Sequence, residues 1–442
     1  MTDLSVLLKK VSERGVNLWV QDGILKYKAP KGHMDQELKV EIKQHRDAII
    51  EFFAGHGESK NEDVFALTEV QQAYWIGRTN SYELGNVGCH IYIELENSEL
   101  DIQKLNQAWN KIVRRHDMMR AIILPEGKQK ILNNVPEYII SISDLTKFDS
   151  EKQEQILMKI RDEMSHQVFN AEKWPAFDIR ISKLSGTNRM HISMDYLFAD
   201  ASSHLIIFHE WIALYEDMEC ELPELPISFK DHILYQEKIK FSPKYQKDIK
   251  YWHDRIKDFP SPPTLPVLKA NIQNNKPEFI RKQNTIDKDS WQKIKDYGKK
   301  YKLTPSVILL TVFSDVLSMW SSSKRFALNL TLFNREPWHP AINNLVGEFT
   351  SLSLLEVDYT HNETFWQRAH RIQSRMMNDL DHNSLSAVQF IRDLARENES
   401  FNQALMPVVF TSTLGYGSDG VDDSEVFKLG DVVYSITQTP QV

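Results

Sequence analysis

From Met190 to Asp195 apolar and polar residues alternate: Met190, Ile192 and Met194 take one face, and His191, Ser193 and Asp195 the other. A period of two marks a half-buried strand. From Ala201 to Asp217 the period lengthens, and Leu205, Phe208, His209, Ile212 and Tyr215 recur at helical spacing. The change predicts a strand-to-helix turn with two carboxylates, Asp195 at the strand end and Asp200 at the helix start, and Ser203 three residues on. Backbone groups freed at such a turn need partners, so polar side chains collect there. On spacing alone, Asp200 reads as an ordinary acidic N-cap and Asp195 as a paired surface residue.

Leu4, Leu7, Leu8 and Val11 fall at i, i+3, i+4 and i+7, a short amphipathic helix. Two β-rich runs, Gly15–Val20 and Ile24–Lys28, flank Asp22-Gly23, which is a hairpin signal. After Pro30 and Gly32, Leu38, Val40, Ile42, Ile49, Ile50 and Phe53 mark a second helix. Residues 1–55 therefore read as a small αββα module, followed by a polar linker over 56–64. Thr68 caps a helix that ends near Gly77, with Glu69 in its favourable first turn. Ile102, Leu105, Trp109, Ile112 and Val113 give a core helix over Asp101–His116, with His116 a packing residue. Pro-rich connections follow at Leu222–Pro226 and Phe259–Pro266. Thr304-Pro305 opens a buried helix through Val307, Leu310, Phe313, Leu317 and Trp320. Phe326–Arg335 alternates as a strand and ends in the polar pair Asn334-Arg335.

Composition narrows the class. The chain has 442 residues, 41% of them apolar and 26% charged, enough for a folded protein with an ample core. A net charge of −8 argues against a nucleic acid or an anionic membrane as partner. Two cysteines, Cys89 and Cys220, are too few for a disulfide framework or a tetrahedral metal site. The 15 histidines are scattered without an HExxH pair, and no Gly-rich phosphate loop is present, so neither a metal nor a nucleotide is expected. No apolar run approaches the ~18 residues of a membrane span and no signal peptide opens the chain, which predicts a cytoplasmic protein.

The turn reads D-Y-L-F-A-D-A-S-S, fitting DxxxxDxxS, and so resembles the signature of heterocyclization domains of nonribosomal peptide synthetases. Ordinary condensation domains carry HHxxxDG there. Six further segments resemble that family's motifs in order: Phe65–Arg78, Arg114–Ala121, Phe326–Arg335, Gly347–Leu355, Pro407–Gly415 and Gln438–Val442. Tyr251-Trp252 and the Pro-rich run after it also follow the family. The αββα module resembles tubulysin-type N-terminal docking domains, which grip the C-terminal tail of the preceding subunit and have the capacity to dimerise.

The resemblance implies an α/β pseudo-dimer of two chloramphenicol-acetyltransferase-like lobes, 65–245 and 246–442, around a central tunnel. In the family T-P-Q-V runs on to an Asp, so the C-terminal part of the second lobe and that Asp are expected beyond Val442. No cofactor is bound directly; substrates arrive on the phosphopantetheine arms of carrier proteins. The upstream carrier or subunit tail meets residues 1–55, and downstream peptidyl carrier and adenylation domains supply Cys, Ser or Thr. The amine attacks the donor thioester, and the side-chain thiol or hydroxyl then cyclises with loss of water. Aligning DxxxxD on HHxxxDG puts Tyr196 where condensation domains have their catalytic imidazole, beside the bound substrates. Asp200 takes the place of the structural Asp, with Arg335 as its salt-bridge partner and Ser203 beside it. Thr411 and Ser412 are the implied cyclodehydration residues, Asn334 a weaker candidate, and Asp195 polar support or catalyst. The competing readings are a plain amide-forming condensation domain and a non-catalytic docking or gatekeeping platform.

Overall fold

A computed structural model describes residues 17–21, 24–28, 35–46, 64–78, 87–266, 280–397, 406–414 and 428–439. The expected first helix at Leu4–Val11, the linker 56–63, and Pro440–Val442 lie outside these. Within the N-terminal module, β1 (Asn17–Gln21) and β2 (Ile24–Lys28) pair antiparallel, Gln21 opposite Ile24. The helix Gln36–Gln44 follows, capped by Asp35 and burying Leu38 and Ile42.

Next come β3 (Val64–Ala66), β4 (His90–Asn97), β5 (Ala121–Ile123), β6 (Lys128–Ile131), β7 (Ser141–Asp144), β8 (Phe177–Lys183) and β9 (Asn188–Asp195). The second part of the chain adds β10 (Arg325–Phe333), β11 (Thr350–Asp358), β12 (Val409–Thr411) and β13 (Asp431–Gln438). One mixed sheet has the order β13-β4-β9-β8-β7, a second β11-β10-β12, and β3-β6-β5 form a small third.

β9 lies between β4 and β8, and both of its faces are covered. Helices Ile102–Arg115 and Ala201–Glu216 pack on one face, with the Trp109 and Trp211 rings 4.6 Å apart. Helix Ser150–Ser165 covers the other, where Ser193 Oγ donates to the Met164 carbonyl (3.3 Å). The half-buried strand expected from alternation is therefore a fully buried one. On its polar face His191 sits 2.9 Å from the Tyr92 hydroxyl and 3.1 Å from Ser182 Oγ.

In the second sheet the period of two sorts side chains between two cores. Phe326, Leu328, Leu330, Leu355 and Val357 meet Val307, Leu310 and Ile372 from helices Pro305–Trp320 and Phe365–Asp381. Ala327 and Leu354 instead meet Trp252, Phe390 and Leu394 from helices Pro243–His253 and Ala387–Glu397. Trp320, expected inside the Pro305 helix, is 66% exposed; it is the last residue of that helix, beside the exposed Met319.

The second half of the chain reaches into the first sheet and its core. Ile342, Leu345, Val346 and Phe349, sequence-distant from the first core, are buried in it, and β13 completes the first sheet beside β4. At this crossing Gly347 lies so close to the Phe229 ring that an added Cβ would meet Cδ2 at 2.2 Å. Only glycine admits that approach.

Candidate active site at the lobe junction

The strand-to-helix turn forms as its periodicity requires. β9 ends at Asp195, and Asp200 caps the next helix, its Oδ1 accepting from the Ser203 N–H at 2.7 Å. Asp200 is fully buried, and its charge is met from the second sheet: Arg335 Nη2 lies 3.1 Å from Oδ1 and 2.9 Å from Ser203 Oγ. Arg335 also donates to the carbonyls of Ile342 (2.9 Å) and Leu345 (2.6 Å), and its guanidinium lies 4.1 Å from the Phe349 ring centre. Ser203 Oγ donates to the Gly347 carbonyl (2.7 Å), and the Asp200 N–H reaches the same oxygen (3.0 Å). Two distant stretches of the chain, 200–203 and 335–349, thus meet at one cap.

Asp195 is not a surface residue; only 3% of it is exposed. Arg78, at the end of the helix Glu69–Gly77, forms an ion pair with its Oδ1, which also accepts from the Leu197 N–H at 2.8 Å. Arg78 donates its other nitrogen to the Phe169 carbonyl (3.1 Å). Gln71 of the same helix donates to the Leu197 carbonyl (2.8 Å), fastening helix to turn at a second point.

Around this clamp lie buried groups held neutral. Burial, and then the nearby Asp195 charge, push the Cys89 thiol well above its ordinary value, although Thr439 and Tyr74 hydrogen-bond to it. Thr439, in the terminal Q-T-P motif, is thereby brought to the Asp195 turn. Burial raises the Tyr196 hydroxyl, with Cys89 and Asp200 adding to the shift. The Tyr196 ring stands edge-on to His204 at 4.8 Å, and burial alone lowers that imidazole to about 3. Glu348 is 0% exposed, and burial pushes its carboxyl up to about 8.

The cyclodehydration candidates sit elsewhere and are differently held. Thr411, on β12, is exposed and donates to Thr331 Oγ1 of β10 at 2.9 Å, the residue opposite it in register. Ser412 Oγ is 2.8 Å from Ser306 Oγ at the start of the Pro305 helix. Asn334 follows β10 half-buried, its backbone N–H donating to the Phe349 carbonyl (3.2 Å). The described hydrogen bonds unite Asp200, Ser203 and Arg335, and tie Asp195 to Arg78, but run no link from either to Thr411 or Ser412.

Sequence reasoning assigned no role to Arg78, Glu348, Tyr74, Cys89, His204 or Thr439. Glu348 carried one visible signal, an acid inside the apolar run Leu345–Phe349. Among the described residues no group of three or more His, Cys, Asp or Glu could hold a metal ion. No single helix there is long and apolar enough to cross a membrane.

Fold and site define an α/β scaffold whose two larger parts are locked together at a buried carboxylate turn. The condensation domain model matches residues 61–440, and the TubC N-terminal docking domain model residues 5–54. The crystallised EpoB cyclization-docking bidomain of a Sorangium cellulosum nonribosomal peptide synthetase superposes with a TM-score of 0.78 at 35% identity, covering 99% of this chain and 89% of that one. Bacitracin synthase 1 of Bacillus licheniformis is 33% identical over 86% of the chain, and pyochelin synthetase PchF of Pseudomonas aeruginosa 32% over 99%. The chain spans 7% and 24% of those two proteins. It belongs to the condensation domain family of nonribosomal peptide synthetases, as a heterocyclization domain behind a docking domain.

Proposed function

We propose that this domain joins an upstream carrier-bound acyl or peptidyl thioester to a carrier-bound Cys, Ser or Thr and then cyclises the product to a thiazoline or oxazoline. The observation that carries the reading is the buried turn itself. Two carboxylates, each held by an arginine from another segment, flank Tyr196, where an amide-forming relative would present an imidazole.

In the first step the acceptor amine forms a C–N bond to the donor carbonyl as the C–S bond breaks, releasing the upstream arm as its thiol. Holding two arms in register supplies much of the barrier reduction. In the second, the side-chain sulfur or oxygen adds to the new amide carbon, and the former carbonyl oxygen leaves as water. That step needs donors toward a developing oxyanion and a proton for the departing oxygen. We assign it to Thr411 and Ser412, with Asn334 in support, and we assign Asp195 to both steps. Cysteine is the expected acceptor, because a thiolate adds more readily than a hydroxyl.

Lobes at 65–245 and 246–442 exchange segments around the tunnel that the two arms enter. Residues 1–55 take the tail of an upstream subunit, with the β1–β2 hairpin edge offering backbone groups for strand addition. Downstream peptidyl carrier and adenylation domains deliver the acceptor, in the cytoplasm. The deciding experiment incubates the intact module with donor- and cysteine-loaded carriers and weighs the product. A ring product one water lighter than the linear amide supports the proposal; only the linear amide, or neither, overturns it. Deleting residues 1–55 should reduce transfer from the native upstream carrier and leave a soluble-thioester assay largely unchanged. Equal loss in both assays would make the segment structural instead.

A further inference from the structure

The clamp on Asp195 and the cap on Asp200 are two sides of one closed ring. Thr68 and Arg78 stand at opposite ends of the helix Glu69–Gly77. From Arg78 the ring runs through its ion pair to Asp195, then along the turn to Asp200. The Asp200 N–H crosses to the Gly347 carbonyl at 3.0 Å. Glu348 is the next residue, and its Oε2 lies 3.3 Å from Thr68 Oγ1, back at the start of the helix. Gln71 braces the ring from within, bonding both the Thr68 cap (2.9 Å) and the Leu197 carbonyl (2.8 Å).

We propose that Glu348 is a positioning residue for the reaction: it closes this ring at Thr68 and so sets where the helix presents Arg78, and through it Asp195. The Thr350 N–H fixes the other carboxyl oxygen, Oε1, at 3.0 Å. The side chain is therefore held at both ends in a site with 0% exposure.

The groups facing Glu348 decide its protonation. From the opening helix come Thr68 and Tyr74, and from the turn comes Asp200, a second carboxylate. The nearby guanidinium, Arg335, is turned to Asp200 and two carbonyls. His232, from helix Phe229–Ile239, is neutral, lowered to about 4 by burial and by Arg335. Among the described residues Glu348 has no cationic partner, and burying an unpaired carboxylate is costly enough that the acid form prevails. Thr68 Oγ1 donates to Oε2, and the Thr350 N–H to Oε1. Burial places the titration near 8, above the ordinary carboxyl value of 4.5.

The sign for stability follows. A carboxyl raised in the fold binds more protons folded than unfolded between its two pKa values, so its contribution falls as pH rises through that window. Relative to Glu348→Gln, which mimics the acid, the parent should lose stability between about pH 4.5 and 8 and level off above.

The test rests on the reaction reading above and uses the full chain with Glu348→Gln and Glu348→Ala. Amide and ring products are measured across pH, and melting temperature without substrate. Glu348→Gln should keep the parent's activity at neutral pH and lack its decline through about pH 8. Glu348→Ala should lose both products by about tenfold or more at every pH, as expected of a misplaced catalytic frame. A Gln variant as poor as the Ala variant would mean the charged carboxylate is needed, and an Ala variant as active as the parent that the ring is idle. Either result overturns the proposal, as does a melting difference between parent and Gln variant that ignores pH. A parent that makes no product while that difference follows pH counts against the reaction and not the ring.

Discussion

The turn Asp195–Ser203 and the strand Val409–Thr411 both hold residues assigned to this reaction, and they are built in opposite ways. At the turn, Asp195, Asp200 and Ser203 are 0–3% exposed and clamped by Arg78, Arg335 and Gly347 from two other segments. On the strand, Thr411 is exposed, at the edge of a three-stranded sheet, and its hydroxyl donates to Thr331. A buried charge must be locked in place because its loss leaves an uncompensated partner. An exposed hydroxyl carries no such penalty, so the strand is free to serve chemistry with little consequence for folding. Substitutions should separate the two regions by which observable moves.

The largest stability effect belongs to the Asp200–Arg335 pair. Asp200→Asn or Arg335→Ala strands a buried partner and should cost about 3–5 kcal/mol, read by chemical denaturation. It should also lower both product yields in parallel. A loss under about 1 kcal/mol would show the cap stands without its charge, and the contrast with the strand would collapse.

Asp195→Ala comes next. It leaves Arg78, whose side chain is 7% exposed, without its carboxylate, a loss of about 3 kcal/mol. Because Asp195 is assigned to both chemical steps in the proposed scheme, linear amide and ring should fall together, their ratio unchanged. A ratio that shifts would move Asp195 from shared support to one step.

Gly347→Ala tests the crossing without touching a charge. Its Cβ would press into the Phe229 ring, where Phe229 also packs edge-on to Phe349 at 5.1 Å. Overpacking of this kind costs about 1–3 kcal/mol. Thermal unfolding that matches the parent would mean the crossing yields readily and is a poor anchor for Arg335.

Why the two regions differed in how far sequence could describe them is a matter of range. The change from period two to helical period located the turn and its cap, since both arise within a few residues. Asp200's partner was reachable only through motif resemblance, because Arg335 is 135 residues away. Arg78 closes a motif without any local sign of its role, since nothing nearby in sequence says that a helix end will fold onto Asp195, 117 residues on. Glu348 is the same case, with Thr68 280 residues back along the chain. The return of β13 to β4 left no trace in periodicity, because an alternating strand reads alike whichever sheet it joins. Trp320 shows the converse, a helical repeat that continues to the helix's last residue after burial has ended.

The smallest stability effect should accompany the most selective chemical one. Thr411→Ala removes an exposed hydroxyl and one contact to Thr331, a change expected to stay within about 0.5 kcal/mol. Condensation needs two arms in register, which Thr411 does not provide, so linear amide should still be released. Cyclodehydration needs a group that activates the amide carbonyl and lets its oxygen depart, and there the hydroxyl should be missed, leaving little thiazoline. Ser412→Ala should act in the same direction more weakly, because Ser412 is partly withdrawn and engaged with Ser306 at 2.8 Å. The measurement is the ring-to-amide ratio by mass in the full-length domain, alongside a melting curve. A Thr411→Ala enzyme with the parent's ratio would reduce the residue to a sheet hydroxyl paired with Thr331. A variant that melts early and loses amide as well would put the strand in the same class as the turn.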